Sequence, residues 1–155
     1  MPQDNYAMGI GYPPAYQISA EPYCTASTTT EVTTTTPIEI KFPRLTRFFV
    51  VTNIGAGHLR VGFTSNGILG KGGFSGSLES GNGGPNPPAG DHNGFLNMFI
   101  LPSATMSPRM ELRTDRLFFL AGAGTTGFSV IAGLTGIQKN KQILLTGSNG
   151  YMGVG

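Results

Sequence analysis

The chain has 155 residues, 39% of them hydrophobic and only 12% charged, with a net charge of +2. That length suits one domain with a real core and leaves no room for two comfortable ones. A charged share about half the usual one leaves many surface positions to Thr, Ser, Asn and Gly, with little repulsion between copies, which suits a subunit of an assembly better than a free monomer.

Further exclusions follow from residue types. With 24 glycines and 11 prolines the chain favours turns and short strands over long helices. Cys24 is the only cysteine, so no intrachain disulfide can form. The chain has no charged start followed by an apolar run, no apolar stretch long enough for a bilayer and no glycosylation sequon, so synthesis in a reducing, cytosol-like compartment is expected. All ten basic residues lie beyond residue 36 and none form a cluster. They read as ordinary solvated charge, and no direct nucleic-acid binding is expected.

Residues 1–36 read as an extended N-terminal arm. Tyr6, Tyr12, Tyr16 and Tyr23 are spread among Gly11, Pro13, Pro14 and Pro22, and a threonine-dominated run follows, with no strand or helix period sustained before Glu31. Such a segment is either disordered or ordered on a neighbouring subunit, where tyrosine rings are buried and hydroxyls stay wet. Pro13-Pro14-Ala15-Tyr16 fits the PPxY pattern of WW-domain ligands, a match that Pro-rich segments produce freely.

From Pro37 the pattern changes. Ile38, Ile40 and Phe42 alternate with Glu39 and Lys41, the period of a strand with one buried face. Residues 46–53 form a strand apolar on both faces, expected to be central or sandwiched. After Gly55-Ala56-Gly57, Leu59, Val61 and Phe63 alternate with Arg60, Gly62 and Thr64. The pair looks like a hairpin with a glycine turn, and residues 113–135 repeat the design around Gly122-Ala123-Gly124.

Residues 65–94 hold ten glycines and three prolines, which argues against any regular element there. Ile68, Leu69, Phe74 and Leu78 are too many apolar groups for a spacer, so the first half is expected to pack locally and residues 81–94 to be mobile. Strands are expected again at 95–101, 109–114, 116–121, 127–135 and 142–146, with a turn at Lys139-Asn140-Lys141 and a flexible tail over 147–155. In 127–135, Phe128, Val130, Ala132 and Leu134 share one face.

With 37–42, 46–53 and 58–64 this makes about eight short strands and no helix, an all-β fold. It is expected to be an eight-stranded antiparallel jelly-roll β-sandwich over 37–146. Lettered B to I, the long loop falls between D and E, beside bends near Pro43, Thr114-Asp115 and Lys139-Asn140-Lys141. Residues 44–64 then hold strands C and D. In a jelly roll these lie in opposite sheets, so the glycine turn becomes a connection between sheets and the hairpin reading fails.

Chemistry is sparse. His58 follows a turn and His92 lies in the long loop; both read as surface residues. Asp91, His92 and Glu79 lack ligand spacing for a metal, and Gly70-Lys71-Gly72-Gly73-Phe74-Ser75-Gly76 lacks the order of a phosphate loop. There is no Gly-x-Ser-x-Gly elbow, and nothing pairs the carboxylates as a glycosidase would need. No enzyme, cofactor or metal site is expected. Arg44, Arg47, Arg60, Arg109, Arg113 and Arg116 flank strands as a solvated rim; the sharper alternative is bidentate pairing across a subunit interface.

Three segments, TRFFVVTNIGAGHLRVGFTSNGI, NMFILPSATMSPRMELRTDRLFFL and TGFSVIAGLTGI, resemble the single jelly-roll penton or vertex proteins of large icosahedral double-stranded DNA viruses. The resemblance covers residues 44–137 and rests on the LRVGF-type strand, the proline-bounded link before MELR and the terminal AGLTGI. It implies a homopentamer closing the fivefold vertices of a capsid, made in the host cytoplasm, with the arm reaching adjacent major and minor capsid proteins and no membrane span. Tyr12, Tyr16, Tyr23, Arg44, Arg47, Arg60, Arg113 and Arg116 are then the interface candidates. Lys71, Phe74, Asp91 and His92 would stand on the displayed loop. In the alternative, a minor capsid, decoration or attachment protein uses the 65–94 loop to bind a glycan or receptor.

Overall fold

The computed structural model describes residues 20–69 and 98–141. Tyr12, Tyr16, Lys71, Phe74, Asp91, His92, the PPxY-like segment, the strand expected at 142–146 and the tail all lie outside them. Seven strands are described: β1 (Glu21–Ala26), β2 (Ile38–Lys41), β3 (Arg44–Asn53), β4 (Leu59–Gly62), β5 (Met98–Leu101), β6 (Arg116–Ala121) and β7 (Phe128–Gln138). They form two antiparallel sheets, of order β1-β7-β3 and β2-β6-β4-β5. The protein is all-β.

Three expectations change. Residues 21–26, which their composition assigns to the arm, form β1 and pair along their whole length with β7, from Glu21 opposite Leu134 to Ala26 opposite Ser129. Val32, also in the threonine-rich run, is fully buried and bridged to Thr126. Residues 109–114 are not a strand. Met110 and Met106 make isolated bridges to Phe49 and Thr52 on the free edge of β3, because Pro108 cannot donate to a ladder and interrupts it. Residues 65–69, expected to be irregular, form a short helix α1 (Ser65–Leu69). The Thr64 hydroxyl accepts the Gly67 N–H at 3.0 Å, which caps the turn and offsets the glycine within it.

The two sheets bury a common core. Phe49, Val51, Phe128, Val130, Ala132 and Leu134 face Ile40, Leu59, Val61, Leu101, Leu117, Phe119 and Ala121. The alternations read in 38–42, 59–63 and 128–134 thus mark the inner faces. Each large apolar side chain removed from water in this way contributes roughly 1.5–3 kcal/mol. Aromatic pairs tie one sheet to the other: Tyr23 stands edge-on to Phe42 at 5.1 Å, Phe49 to Phe63 at 6.2 Å, and Phe119 stacks on Phe128 at 4.2 Å. Such geometry adds about 0.5–1.5 kcal/mol per pair beyond area.

The four-stranded sheet is covered on its other face too. Ile68 of α1 is fully buried against Phe118 and Leu120, with Leu69 and Met98 beside them. This explains why residues 117–121 are buried on both sides. It also agrees with local packing of the first half of the long loop, at Ile68 and Leu69. Ile68→Val removes one methylene from this second cluster and is expected to cost about 1 kcal/mol, read as a lower urea midpoint with an unchanged slope.

Consecutive strands change sheet at both glycine turns. Gly55-Ala56-Gly57 joins β3 to β4 and Gly122-Ala123-Gly124 joins β6 to β7, so neither is a hairpin. The registers gather 54–58, 102–105 and 122–127 at one end of the sandwich. At the other end lie Phe42-Pro43, α1, Thr114-Asp115 and a 3-10 turn at Lys139–Lys141. The 65–94 segment therefore leaves β4 among the bends expected beside it.

Candidate interaction surface

At the end that carries the glycine turns, Asn53 closes β3 and is completely buried. Its Nδ2 donates to the carbonyls of Gly57 at 2.7 Å and Leu101 at 3.0 Å, with the Pro102 carbonyl also at 3.0 Å. Its Oδ1 accepts the Gly55 N–H at 3.1 Å and the Thr126 hydroxyl at 2.7 Å. One amide thus fastens three connections. Further bonds complete the end: Ser103 Oγ donates to Gly55 O, Gly122 N to His58 O, and Val32 and Thr126 exchange both backbone bonds. This end is a rigid, satisfied network. Nothing in its sequence beyond a polar residue before Ile-Gly signals that role.

The arginines separate into different settings. Arg44 is exposed and pairs with Glu21 at 3.3 Å. Arg116 is part-buried and reaches Asp115 at 2.8 Å and Glu39 at 3.0 Å. The hydrogen bond to Asp115 raises the Arg116 pKa above its ordinary value, with the charges of Asp115 and Glu39 adding to that and desolvation opposing it. Arg47 is half-buried at a bulge in β3, where Thr46 pairs with Leu134 and Phe48 with Gly133. Arg60 is half-buried on β4, opposite Ile100 and Leu120, and Arg113 is exposed beyond the 109–111 segment. Arg109 pairs with Glu111 and lies 4.0 Å over the Phe48 ring. Arg44 and Arg116 thus engage carboxylates of their own chain in surface pairs, each worth at most about 1 kcal/mol. Tyr23 is half-buried and faces the core, and His58 is exposed at the glycine-turn end.

The outer face of the three-stranded sheet is different in character. Its cross-strand rows are Ala26, Ser129 and Thr52; Cys24, Ile131 and Val50; and Pro22, Gly133 and Phe48, with no charged residue among them. Ile131 is 53% exposed in the middle strand, and Met106, bridged to Thr52 at the edge, is 67% exposed. No such face was evident in the sequence, where Ile131 is only the odd member of the strand that carries Val130 and Ala132 inward. A signal was present in the large apolar residue at an outward-facing position of a central strand.

Among the described residues no three His, Cys, Asp or Glu side chains converge on a point that could hold a metal, and no helix is long and apolar enough to cross a membrane. The geometry offers surfaces for contact and a stiff end. No family model, no curated protein and no solved structure matches the chain.

Proposed function

We propose that the chain is a structural virion protein, a jelly-roll penton subunit whose homopentamer closes the fivefold vertices of an icosahedral capsid. The observation that carries this reading is the succession of strands. If residues 106–110, bridged to the free edge of β3, take the sixth place in chain order, the sheets run first-eighth-third-sixth and second-seventh-fourth-fifth. That is the jelly-roll order, two Greek keys folded face to face. In this reading β1 is strand B, so the lettering moves by one and the 65–94 segment joins E to F.

Three further features support it. The resemblance of residues 44–137 to penton proteins falls on β3, β4, β5, β6 and β7, five of the seven described strands and members of both sheets. The low charge suits a protein that lives in contact with copies of itself. The outer face of the three-stranded sheet, where Ile131 is 53% exposed, and the hydrogen-bonded loop end give surface to bury. A ring needs a heterologous contact whose rotation closes, and a stable one buries roughly 1,200–2,000 Å² per interface. Native mass measurement on the purified full chain at high concentration is expected to find a five-subunit species. A chain that stays monomeric throughout would overturn the proposal.

A further inference from the structure

The ion pairs of the described residues leave one carboxylate and one arginine over. Glu21, Glu39, Glu111 and Asp115 each hold a cation, and Glu31 alone of the described carboxylates holds none. Arg44, Arg109 and Arg116 supply those cations and Arg47 and Arg113 are engaged as well, so Arg60 alone of the described arginines has no ion pair or hydrogen bond to a described residue. Arg60 lies on the outer face of β4, since Leu59 and Val61 on either side of it point into the core, and opposite it on β5 stands Ile100, 55% exposed. Glu31 is exposed beside the buried Val32, and its carboxylate accepts the Thr28 N–H at 3.2 Å, which orients it. The two do not meet within one subunit. Ala121 of β6 pairs with Leu59 on one side and donates to the Thr33 carbonyl on the other, so β6 stands between them.

We propose that Arg60 and Ile100 of one copy receive Glu31 of a second copy, in a head-to-tail contact that repeats around a ring. The inference rests on the ring proposed above and names the residues that close it. Charge agrees: a guanidinium matches a carboxylate with two parallel hydrogen bonds, and the half-buried Arg60 lacks the counter-charge that its fellows have. Ile100 supplies apolar surface that keeps water from the pair once a partner covers it. Because Glu31 and Arg60 lie on different sides of the subunit, the contact is heterologous. Height agrees too. A rotation about an axis running along the strands brings together only groups at the same level on that axis, and both groups lie at the end that carries the glycine turns. Arg60 Nε is 3.7 Å from where a Cβ on Gly122 would stand, and Thr28 and Thr29 press on Gly127. A contact between different levels would climb into a filament, whereas this one can close.

Native mass measurement of the full chain across a dilution series gives the concentration at which its oligomer falls apart. Arg60→Glu and Glu31→Arg are each expected to raise that concentration by at least about tenfold, and the two together to return it to near the wild-type value, since the swap restores an attractive pair. Lys139→Ala, in the turn at the opposite end, is expected to leave it unchanged. Arg60→Gln and Glu31→Gln form a milder set that carries the test if a reversed charge harms folding, because Glu31→Gln keeps an acceptor for Thr28. Each is expected to weaken the oligomer, and the double glutamine variant to be no weaker than the worse single one. Urea midpoints of the dilute proteins close to wild type show that the fold is intact. Single reversals that assemble like wild type, or a double reversal no better than the singles, overturn this contact and leave the ring reading standing. A wild-type chain that stays monomeric overturns both. Rescue in an oligomer that is not five-membered supports the contact and overturns the penton reading.

Discussion

Asn53→Ala is expected to destabilise the protein by about 3–4 kcal/mol, close to 10 °C in melting temperature for a chain of this size. The side chain is fully buried and uses both ends of its amide. Truncation leaves the Gly55 N–H without its acceptor and the Leu101 carbonyl without this donor, and each orphaned group in a dry site costs roughly 1–3 kcal/mol. Thr126 recovers part of the loss, because its hydroxyl stands 3.2 Å from the Gly57 carbonyl and can turn to it. Asn53→Asp offers a sharper comparison. It preserves shape and the acceptor for Gly55, but sets a carboxylate against the carbonyls of Gly57, Leu101 and Pro102, where a donor is needed. It is therefore expected to cost at least as much as alanine at neutral pH. Urea unfolding of both variants measures this; a loss under about 1 kcal/mol for alanine would mean that the loops hold together without the amide.

The pattern of inner faces was legible because it depends on local alternation. Ile38 and Ile40, Leu59 and Val61, and Phe128 to Leu134 each show a period of two that burial on one face produces directly. What escaped was set by long-range partners. Residues 21–26 read Glu-Pro-Tyr-Cys-Thr-Ala, with Pro22 and modest apolar content, and become a strand only because β7 offers an edge on which Pro22 loses no required bond. Residues 109–114 show the reverse. Met110 and Leu112 alternate properly, yet this stretch contributes one bridge, and Leu112 ends 41% exposed. The helix at Ser65–Leu69 forms against glycine because Ile68 finds Phe118 and Leu120, a contact that spans about fifty residues of sequence. For the candidate site, the arginines were visible as residue types, while their partners on the same chain were not. Asn53 has no local signature of its role, and Ile131 has one only as a large apolar residue out of phase with the inward-facing Val130 and Ala132.

Gly55→Ala is expected to cost about 3 kcal/mol, whereas Gly124→Ala, at the last residue of the matching Gly-Ala-Gly turn, is expected to cost about 1 kcal/mol. The reasons differ in kind. A Cβ on Gly55 would stand 2.6 Å from Thr126 Cα and 2.7 Å from the Gly127 nitrogen, backbone atoms that cannot yield without moving the start of β7. Gly124 has open space around it, and its φ of 64° is the whole cost. Asparagine tolerates that backbone region, so Gly124→Asn should be nearly neutral while Gly55→Asn should be as damaging as alanine. Equal losses at the two positions would refute the distinction. The repeat in the sequence has a spatial meaning as well. A Cβ on Gly57 would lie 2.7 Å from the Ala123 carbonyl oxygen, and Gly122 N donates to His58 O at 2.8 Å, so the two turns abut at the same end of the sandwich. They look alike for different reasons: Gly55 and Gly57 admit the backbone of residues 123–127, whereas Gly124 supplies a left-handed φ, and the contact between the two turns gives them a common base beside Asn53.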